Sequence, residues 1–156
     1  MILKELLERS EYTLVQGSED VEISTLVYDS RKIEKGSVFV CISGAVSDGH
    51  TYIEQVAEKG AAAVIVEKDV EAPEGLTVIK VKDTRYALAM TSAAYFGYPA
   101  EKLKVIGITG TKGKTTTTYM VKSILEEVGI RVGLIGTIEA IIGDKSIPAN
   151  NTTPES

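Results

Sequence analysis

From Met1 onward the apolar residues Ile2, Leu3, Leu6 and Leu7 fall on one helical face, and the pattern predicts a short N-terminal helix ending near Ser10. Val21 to Tyr28 and Ser37 to Ile42 have the make-up of strands, with the polar stretch Asp29-Ser30-Arg31-Lys32 and the turn residue Gly36 between them. Ser47-Asp48-Gly49-His50 reads as a loop. Ile53, Val56 and Ala57 then line one face of a helix that stops at Gly60, and the apolar run Ala61 to Val66 predicts a buried strand. Beyond a loop holding Pro73 and Gly75, Leu76 to Val81 is a further strand. Asp83 is placed to cap a helix reaching about Phe96, which Gly97-Tyr98-Pro99 ends. Strands alternating with helices predict an α/β fold with a largely parallel sheet.

The remaining chain starts a new unit. Val105 to Ile108 predicts a short buried strand, and a turn with Gly110 and Gly113 leads into a helix. That helix carries Met120, Val121, Ile124, Leu125 and Val128 as one stripe and Gly129 as its C-terminal cap. Arg131 to Ile135 is a strand, Gly136-Thr137 follows, and Gly143-Asp144 marks a hairpin before a polar end. A boundary near Gly97 to Lys102 divides the chain into residues 1–98 and 99–156. The second part is short for a phosphate-loop domain, which needs several more strands and an acidic second metal site. It reads as the start of a domain in a longer enzyme.

The turn at Gly110-Thr111-Lys112-Gly113-Lys114-Thr115-Thr116 carries the clearest chemistry. Two glycines let successive N–H groups converge on one point, and the helix that follows adds the positive end of its dipole, an arrangement suited to polyphosphate. Lys114 would reach the β/γ-phosphates and the Thr115 hydroxyl would sit on Mg²⁺. Four threonines, Thr115 to Thr118, open the helix although β-branched residues are mediocre helix formers, so their hydroxyls are wanted there. The general pattern asks for Gly where this chain has Ile108. The alternative is a glycine-rich turn that binds nothing, which the order of strand, Gly-x-x-Gly-Lys-Thr and amphipathic helix disfavours.

Composition narrows the classes. Apolar residues are 44%, charged residues 25% and mean hydropathy is +0.07, all ordinary for a soluble globular protein. Ala61 to Val66 falls far short of the roughly 20 apolar residues of a membrane span. Lys4, Glu5, Glu8 and Arg9 interrupt any signal-peptide core, so a cytoplasmic protein is expected. The net charge is −5, with ten basic and sixteen acidic residues in 1–99 and seven and six in 100–156. Lacking a basic stripe, the chain is not expected to bind nucleic acid or a membrane, while small anions held by local dipoles suit it. The lone Cys41, in an apolar run, reads as a core residue. His50, the sole histidine, has no Cys or second His near it and reads as a helix-start residue or loop hydrogen-bonder, not a metal ligand. Tyr95, Tyr98 and Tyr119 are expected as core or boundary aromatics.

Gly107-Ile108-Thr109-Gly110-Thr111-Lys112-Gly113-Lys114-Thr115-Thr116 resembles the ATP loop of the Mur ligases and folylpolyglutamate synthetases, with Lys112 where most members have Asn. Tyr28-Asp29-Ser30-Arg31-Lys32, Gly36-Ser37-Val38-Phe39-Val40, Ser47-Asp48-Gly49-His50 and Gly60-Ala61 resemble the uridine-nucleotide-binding domain of the Mur ligases that add the third amino acid or the terminal dipeptide. The short start before Asp29, Gly136-Thr137 and Asn151-Thr152-Thr153-Pro154-Glu155 are similar to the third-residue branch. The resemblance implies ATP-dependent amide-bond formation in peptidoglycan synthesis. Meso-diaminopimelate or L-lysine would be joined to UDP-N-acetylmuramoyl-L-Ala-D-Glu through an acyl-phosphate.

Carried over residue by residue, the resemblance makes Lys114 catalytic. It puts ATP on Gly110, Thr111, Lys112, Gly113, Lys114, Thr115 and Thr116, and Mg²⁺ on Thr115. It puts the uridine diphosphate end on Tyr28, Ser30, Ala45, Val46 and Ser47, and the muramoyl-peptide part on Asn151, Thr152 and Thr153. The rest of the central domain and a C-terminal domain would lie outside these 156 residues, which are therefore expected to be inactive alone and to expose the apolar stripe of their last helix. Three other readings remain open here: the ligase that adds D-Ala-D-Ala, a folylpolyglutamate synthetase, and a stand-alone nucleotide-binding module. Without the resemblance, Asp29-Ser30-Arg31 reads first as an Asx turn with a solvated ion pair, and only the family match reverses that; the Asn151-Thr152-Thr153 glycosylation pattern carries no weight without a secretory signal.

Overall fold

A computed structural model describes residues 1–44 and 47–149. The chain divides into two compact units, Met1–Leu103 and a second that begins at Lys104. The first contains α1 (Leu3–Leu6), β1 (Tyr12–Gln16), β2 (Leu26–Val27), β3 (Val38–Val40), α2 (Ile53–Glu58), β4 (Ala63–Val66), β5 (Thr77–Val81) and α3 (Thr84–Tyr95). Its sheet runs in the order β1-β5-β4-β3-β2. Strands β2 to β5 are mutually parallel and β1 closes one edge antiparallel to β5, so the expected α/β class with a largely parallel sheet holds.

Both faces of the sheet are covered, which is why β3 and β4 at its centre are unbroken apolar runs. Val38, Val40, Ala63, Ile65, Ile79 and Val81 point to the side where Leu3, Leu6, Ala87 and Leu88 of α1 and α3 pack. Phe39, Cys41, Val64, Val66 and Val78 point to the other side, against Ile53 and Val56 of α2. Cys41 is fully buried, and burial pushes its thiol up to about 12, which confirms the expected core role.

Polar groups tie the strand entries together. The Ala62 N–H donates to the Ser37 carbonyl at 2.8 Å, and the Ser37 hydroxyl donates to Glu34 O at 2.6 Å. Buried Thr77 donates to Ser18 O at 3.2 Å and accepts from Ser18 N–H at 3.3 Å. Gly17 makes that approach possible: its φ is 83°, and a Cβ there would lie 2.5 Å from Thr77 Oγ1.

Asp83 caps α3 as expected, accepting from the Arg85 and Tyr86 N–H groups. The helix is followed by Tyr98 in the left-handed region, at φ 52°, which costs about 1 kcal/mol for a residue with a side chain. Its contacts offset that: the hydroxyl donates to Glu8 at 2.8 Å, and the Arg9 guanidinium lies 3.8 Å from the ring centroid while pairing with Glu101.

Two expectations need correction in this unit. Of Val21 to Tyr28 only Leu26–Val27 is a strand, because the earlier residues pair with the N-terminus instead: Leu3 N–H donates to Val21 O at 3.0 Å and Ile23 N–H to Met1 O at 2.9 Å. Strand β1 was not anticipated. As an edge strand its central residues, Thr13 to Val15, are exposed, so it lacks the alternation that signals a half-buried strand.

The second unit contains α4 (Lys114–Glu127), β6 (Gly133–Ile135), β7 (Glu139–Ile142) and β8 (Lys145–Pro148). The strands form an antiparallel meander with its hairpin at Gly143-Asp144. The strand expected at Val105 to Ile108 is not formed. A strand exists only as one side of a ladder, no described strand pairs with these residues, and Val105 and Ile106 are 75% and 61% exposed. Along α4, Val121 and Leu125 are half-covered while Met120, Ile124 and Val128 are exposed. Among the described residues no helix is long and apolar enough to cross a membrane.

Candidate functional site

In parallel sheets ligands settle outside the carboxyl ends of the strands, and two predicted substrate segments lie there. Strand β2 runs out into Tyr28 and a single turn of 3₁₀ helix, Ser30–Lys32. Asp29 builds this turn, accepting from the Arg31 N–H at 3.0 Å and holding the Arg31 guanidinium through bonds of 2.9 and 2.8 Å. The Asx turn with an ion pair is thus present, and it presents Ser30 at its head. Lys59, the residue following α2, donates to Ser30 O at 2.8 Å and adds a cation beside the turn. Sequence reasoning missed Lys59, since a lysine at a helix end carries no signal of its own.

The Arg31 side chain, and then its N–H, hold the Asp29 carboxyl down at about 2. A carboxylate depressed on folding contributes stability that is complete above its ordinary value near 4 and is lost as pH falls through about 2. Asp29→Asn is therefore expected to flatten the acid limb of stability between about pH 4 and pH 2, read from urea midpoints across that range. An unchanged limb would show that the ion pair does not form in solution.

Strand β3 runs out into a hairpin whose ends, Ser43 and Asp48, bridge antiparallel, with Gly44 N–H donating to Ser47 O at 2.9 Å. Ser47 is exposed and its hydroxyl lies 3.3 Å from that of Tyr52. Ala45, Val46, Asn151, Thr152 and Thr153 lie outside the described residues. The fold thus brings Tyr28, Ser30 and Ser47 to one end of the sheet, on connections leaving neighbouring strands.

In the second unit the turn before α4 holds Gly110, Thr111, Lys112 and Gly113. Gly113 is the residue preceding the helix, at φ 77°, with open space where a Cβ would project. No side chain caps this helix end, and the first intrahelical bond is Thr117 N–H to Gly113 O at 2.9 Å. The N–H groups of Lys114, Thr115 and Thr116 thus face outward without an intrahelical acceptor. The Lys114 ammonium folds back over the turn and donates to Gly110 O at 2.6 Å. Thr118 spends its hydroxyl on Thr115 O at 2.7 Å, whereas the Thr115 and Thr116 hydroxyls have no hydrogen-bond partner among the described residues. A convergent set of donors, a lysine and a spare hydroxyl fit a nucleotide phosphate with Mg²⁺. A shallow groove of about 530 Å³ continues from Thr115 and Thr116 along α4 past Tyr119, Met120 and Ile124. Among the described residues no cluster of three or more His, Cys, Asp or Glu could hold a metal.

Residues 22–96 match the profile of the Mur ligase family, catalytic domain, and residues 108–156 match that of the Mur ligase middle domain. The chain belongs to the Mur ligase family. The similar Mur ligases include two named UDP-N-acetylmuramoyl-L-alanyl-D-glutamate--2,6-diaminopimelate ligase, from Clostridium perfringens and Clostridium tetani. The first is 52% identical over 156 residues, all of this chain and 32% of its own length. The second is 49% identical over 159 residues, all of this chain and 33% of its own length. The chain therefore spans about a third of the Mur ligases it matches. Among solved structures, MurF of Acinetobacter baumannii aligns with 86% of this chain and 30% of its own, at TM-score 0.58 and 31% identity. A diaminopimelate ligase of the same name as the relatives aligns with 97% of this chain and 30% of its own, at TM-score 0.68 and 21% identity, which shows the shared Mur ligase fold.

Proposed function

We propose that this sequence belongs to an ATP-dependent, Mg²⁺-requiring ligase of the cytoplasm, of the MurE type, that joins meso-diaminopimelate to UDP-N-acetylmuramoyl-L-Ala-D-Glu in peptidoglycan synthesis. The observation that carries the reading is 52% identity along the whole chain to a ligase named for that reaction. The branch that adds D-Ala-D-Ala is not favoured. Under this reading the domain borders are 1–98 and 99–156, the first anchoring the uridine nucleotide and the second opening the ATP domain. The substrates are small molecules, and no nucleic acid or membrane partner is involved.

The geometry supports a division of labour. Tyr28, Ser30 and the Ala45-Val46-Ser47 turn receive the uridine diphosphate end, and Asn151, Thr152 and Thr153 the muramoyl-peptide part. The outward N–H groups of Lys114, Thr115 and Thr116, with Gly110, Thr111, Lys112 and Gly113, take the ATP phosphates. A carboxylate is a poor electrophile and is activated as an acyl-phosphate before the amine displaces phosphate. Lys114 neutralises the charge that develops on the transferred phosphoryl group. Thr115 would hold Mg²⁺, which when bound supplies further charge neutralisation at the phosphates.

Calorimetric titration of the chain with UDP-N-acetylmuramoyl-L-Ala-D-Glu tests the substrate claim, with UDP-N-acetylglucosamine and ATP as comparisons. The muramoyl dipeptide is expected to bind, and Ser30→Ala to weaken it about tenfold, the worth of one hydrogen bond to a charged group. Absence of binding, or a Ser30→Ala affinity equal to wild type, counts against the assignment.

A further inference from the structure

The chain's only histidine is built into the base of the hairpin that leaves β3. The His50 side chain is 3% exposed, and both ring nitrogens are engaged. Nδ1 lies 2.6 Å from Asp48 Oδ1, and Nε2 accepts the Glu67 N–H at 3.2 Å. An N–H cannot donate to a protonated nitrogen, and a carboxylate cannot donate at neutral pH. Nδ1 therefore carries the proton and Nε2 is bare, which makes His50 the neutral Nδ1–H tautomer.

The bonds continue on both sides of the ring. Asp48 also accepts from the His50 N–H at 3.0 Å and from Lys68, while its own carbonyl accepts from Thr51 Oγ1 at 2.7 Å. The Glu67 carboxylate turns the other way, accepting from Thr84 N–H at 3.1 Å and Thr84 Oγ1 at 2.8 Å. The Ser43 hydroxyl foremost, and then the Thr84 N–H, hold that carboxylate below its usual range. The ionisable groups around the ring are thus Asp48, Lys68, Glu67 and the Cys41 thiol, with Arg85 reaching Ser43 O at 3.4 Å. Gly49 lets the segment lie flat on the end of β3, since a Cβ there would stand 2.7 Å from Ile42 N.

We infer that His50 is a positioning residue for nucleotide binding: as the Nδ1–H tautomer it ties Asp48, and with it the adjoining Ser47, to the exit of β4, so that Ser47 is held in place when the uridine end arrives. The inference rests on the proposed assignment of Ser47 to that end of the substrate. Asp48 and His50 act through Ser47: Asp48 follows it in the chain, bridges to Ser43 and is held by the His50 ring. A residue held in place before binding avoids the ordering cost that a loose one would incur.

Because His50 is the only histidine, a long-range ¹H–¹⁵N spectrum of the chain reads its ring without ambiguity. The expected result is one protonated nitrogen, Nδ1, and one bare nitrogen, Nε2; an Nε2–H tautomer or an imidazolium at pH 7 overturns the inference. Titration with UDP-N-acetylmuramoyl-L-Ala-D-Glu, well below each variant's unfolding midpoint, supplies the functional arm. His50→Leu is expected to lose at least tenfold in affinity, and His50→Gln, whose Oε1 can take the Glu67 N–H, to recover most of it. If His50→Leu does not fold, His50→Asn replaces it, being too short to reach Glu67, and the same loss relative to His50→Gln is expected. Equal affinities for wild type and His50→Leu or His50→Asn, with Ser30→Ala still weakened, overturn the inference and leave the site assignment standing. A wild type that does not bind overturns both.

Discussion

Lys114→Ala in the whole ligase is expected to lower kcat about 10³-fold, the loss typical of removing one preorganised charge from a phosphoryl-transfer site. The residue begins α4, where three backbone N–H groups face outward, and its ammonium already hangs over the turn, 2.6 Å from Gly110 O. Polyphosphate oxygens would replace that carbonyl as acceptors, so the lysine moves little and its charge lies where negative charge accumulates. Lys112 is the internal comparison, because it sits in the same turn and is exposed. A solvated charge is screened, so Lys112→Ala should change kcat only a few-fold. Phosphate release at saturating nucleotide substrate distinguishes the two. A Lys114→Ala enzyme within tenfold of wild type, or a larger loss at Lys112, would overturn the assignment of the loop.

Phe39→Ala should destabilise the first unit by about 3–5 kcal/mol. Phe39 is 1% exposed at the middle of β3, packed with Val64, Val56, Leu76 and Val78, and the surrounding strands cannot collapse into the space it would vacate. Against total stabilities of about 5–15 kcal/mol, and at about 4–8 °C per kcal/mol for a unit of this size, the melting midpoint falls on the order of 20 °C. A thermal melt followed by circular dichroism checks this, and a loss under 1 kcal/mol would mean that the second core cluster is not packed as described. Because β3 leads directly into the Ser43 hairpin, nucleotide binding should disappear at the same temperature as the fold.

The elements read most easily from sequence were those whose partners are near in the chain. Asp83 and the apolar spacing behind it defined α3 almost to the residue, and Gly129 marked the end of α4, whose last residue is Glu127. The continuous apolar run that became β4 was equally legible, since burial on both faces leaves nothing polar in it, and β5 differs only by Thr77 at its start and Lys80 near its end. What escaped was set by distant pairing. Strand β1 exists because β5 offers an edge, and Val21 to Ile23 were drawn away from the sheet by α1. Val105 to Ile108 had a strand's composition and, among the described residues, no ladder to join. The site showed the same split. The phosphate loop was visible because its glycines, lysine and threonine are contiguous. Lys59, and the joining of His50 to Glu67, depend on residues 29 and 17 positions apart, which no local pattern reports.

The double-sided burial of β3 and β4 has a consequence for how the chain finds its alignment. In a sheet with one wet face, slipping a strand by one residue drives apolar side chains into water, and that penalty selects the register. Here a one-residue slip would only exchange one apolar interior for the other, since Val38, Val40 and Ile65 face one and Phe39, Val64 and Val66 the other. Selection therefore passes to the few hydroxyls and amides at the strand ends: Ser37 with Ala62 and Glu34, and Thr77 with Ser18 beneath Gly17. A misaligned sheet would be as greasy as the native one yet would leave these groups dry and unbonded. They act as the vernier of the fold, contributing little to its total stability and deciding which of several oily arrangements is the native one.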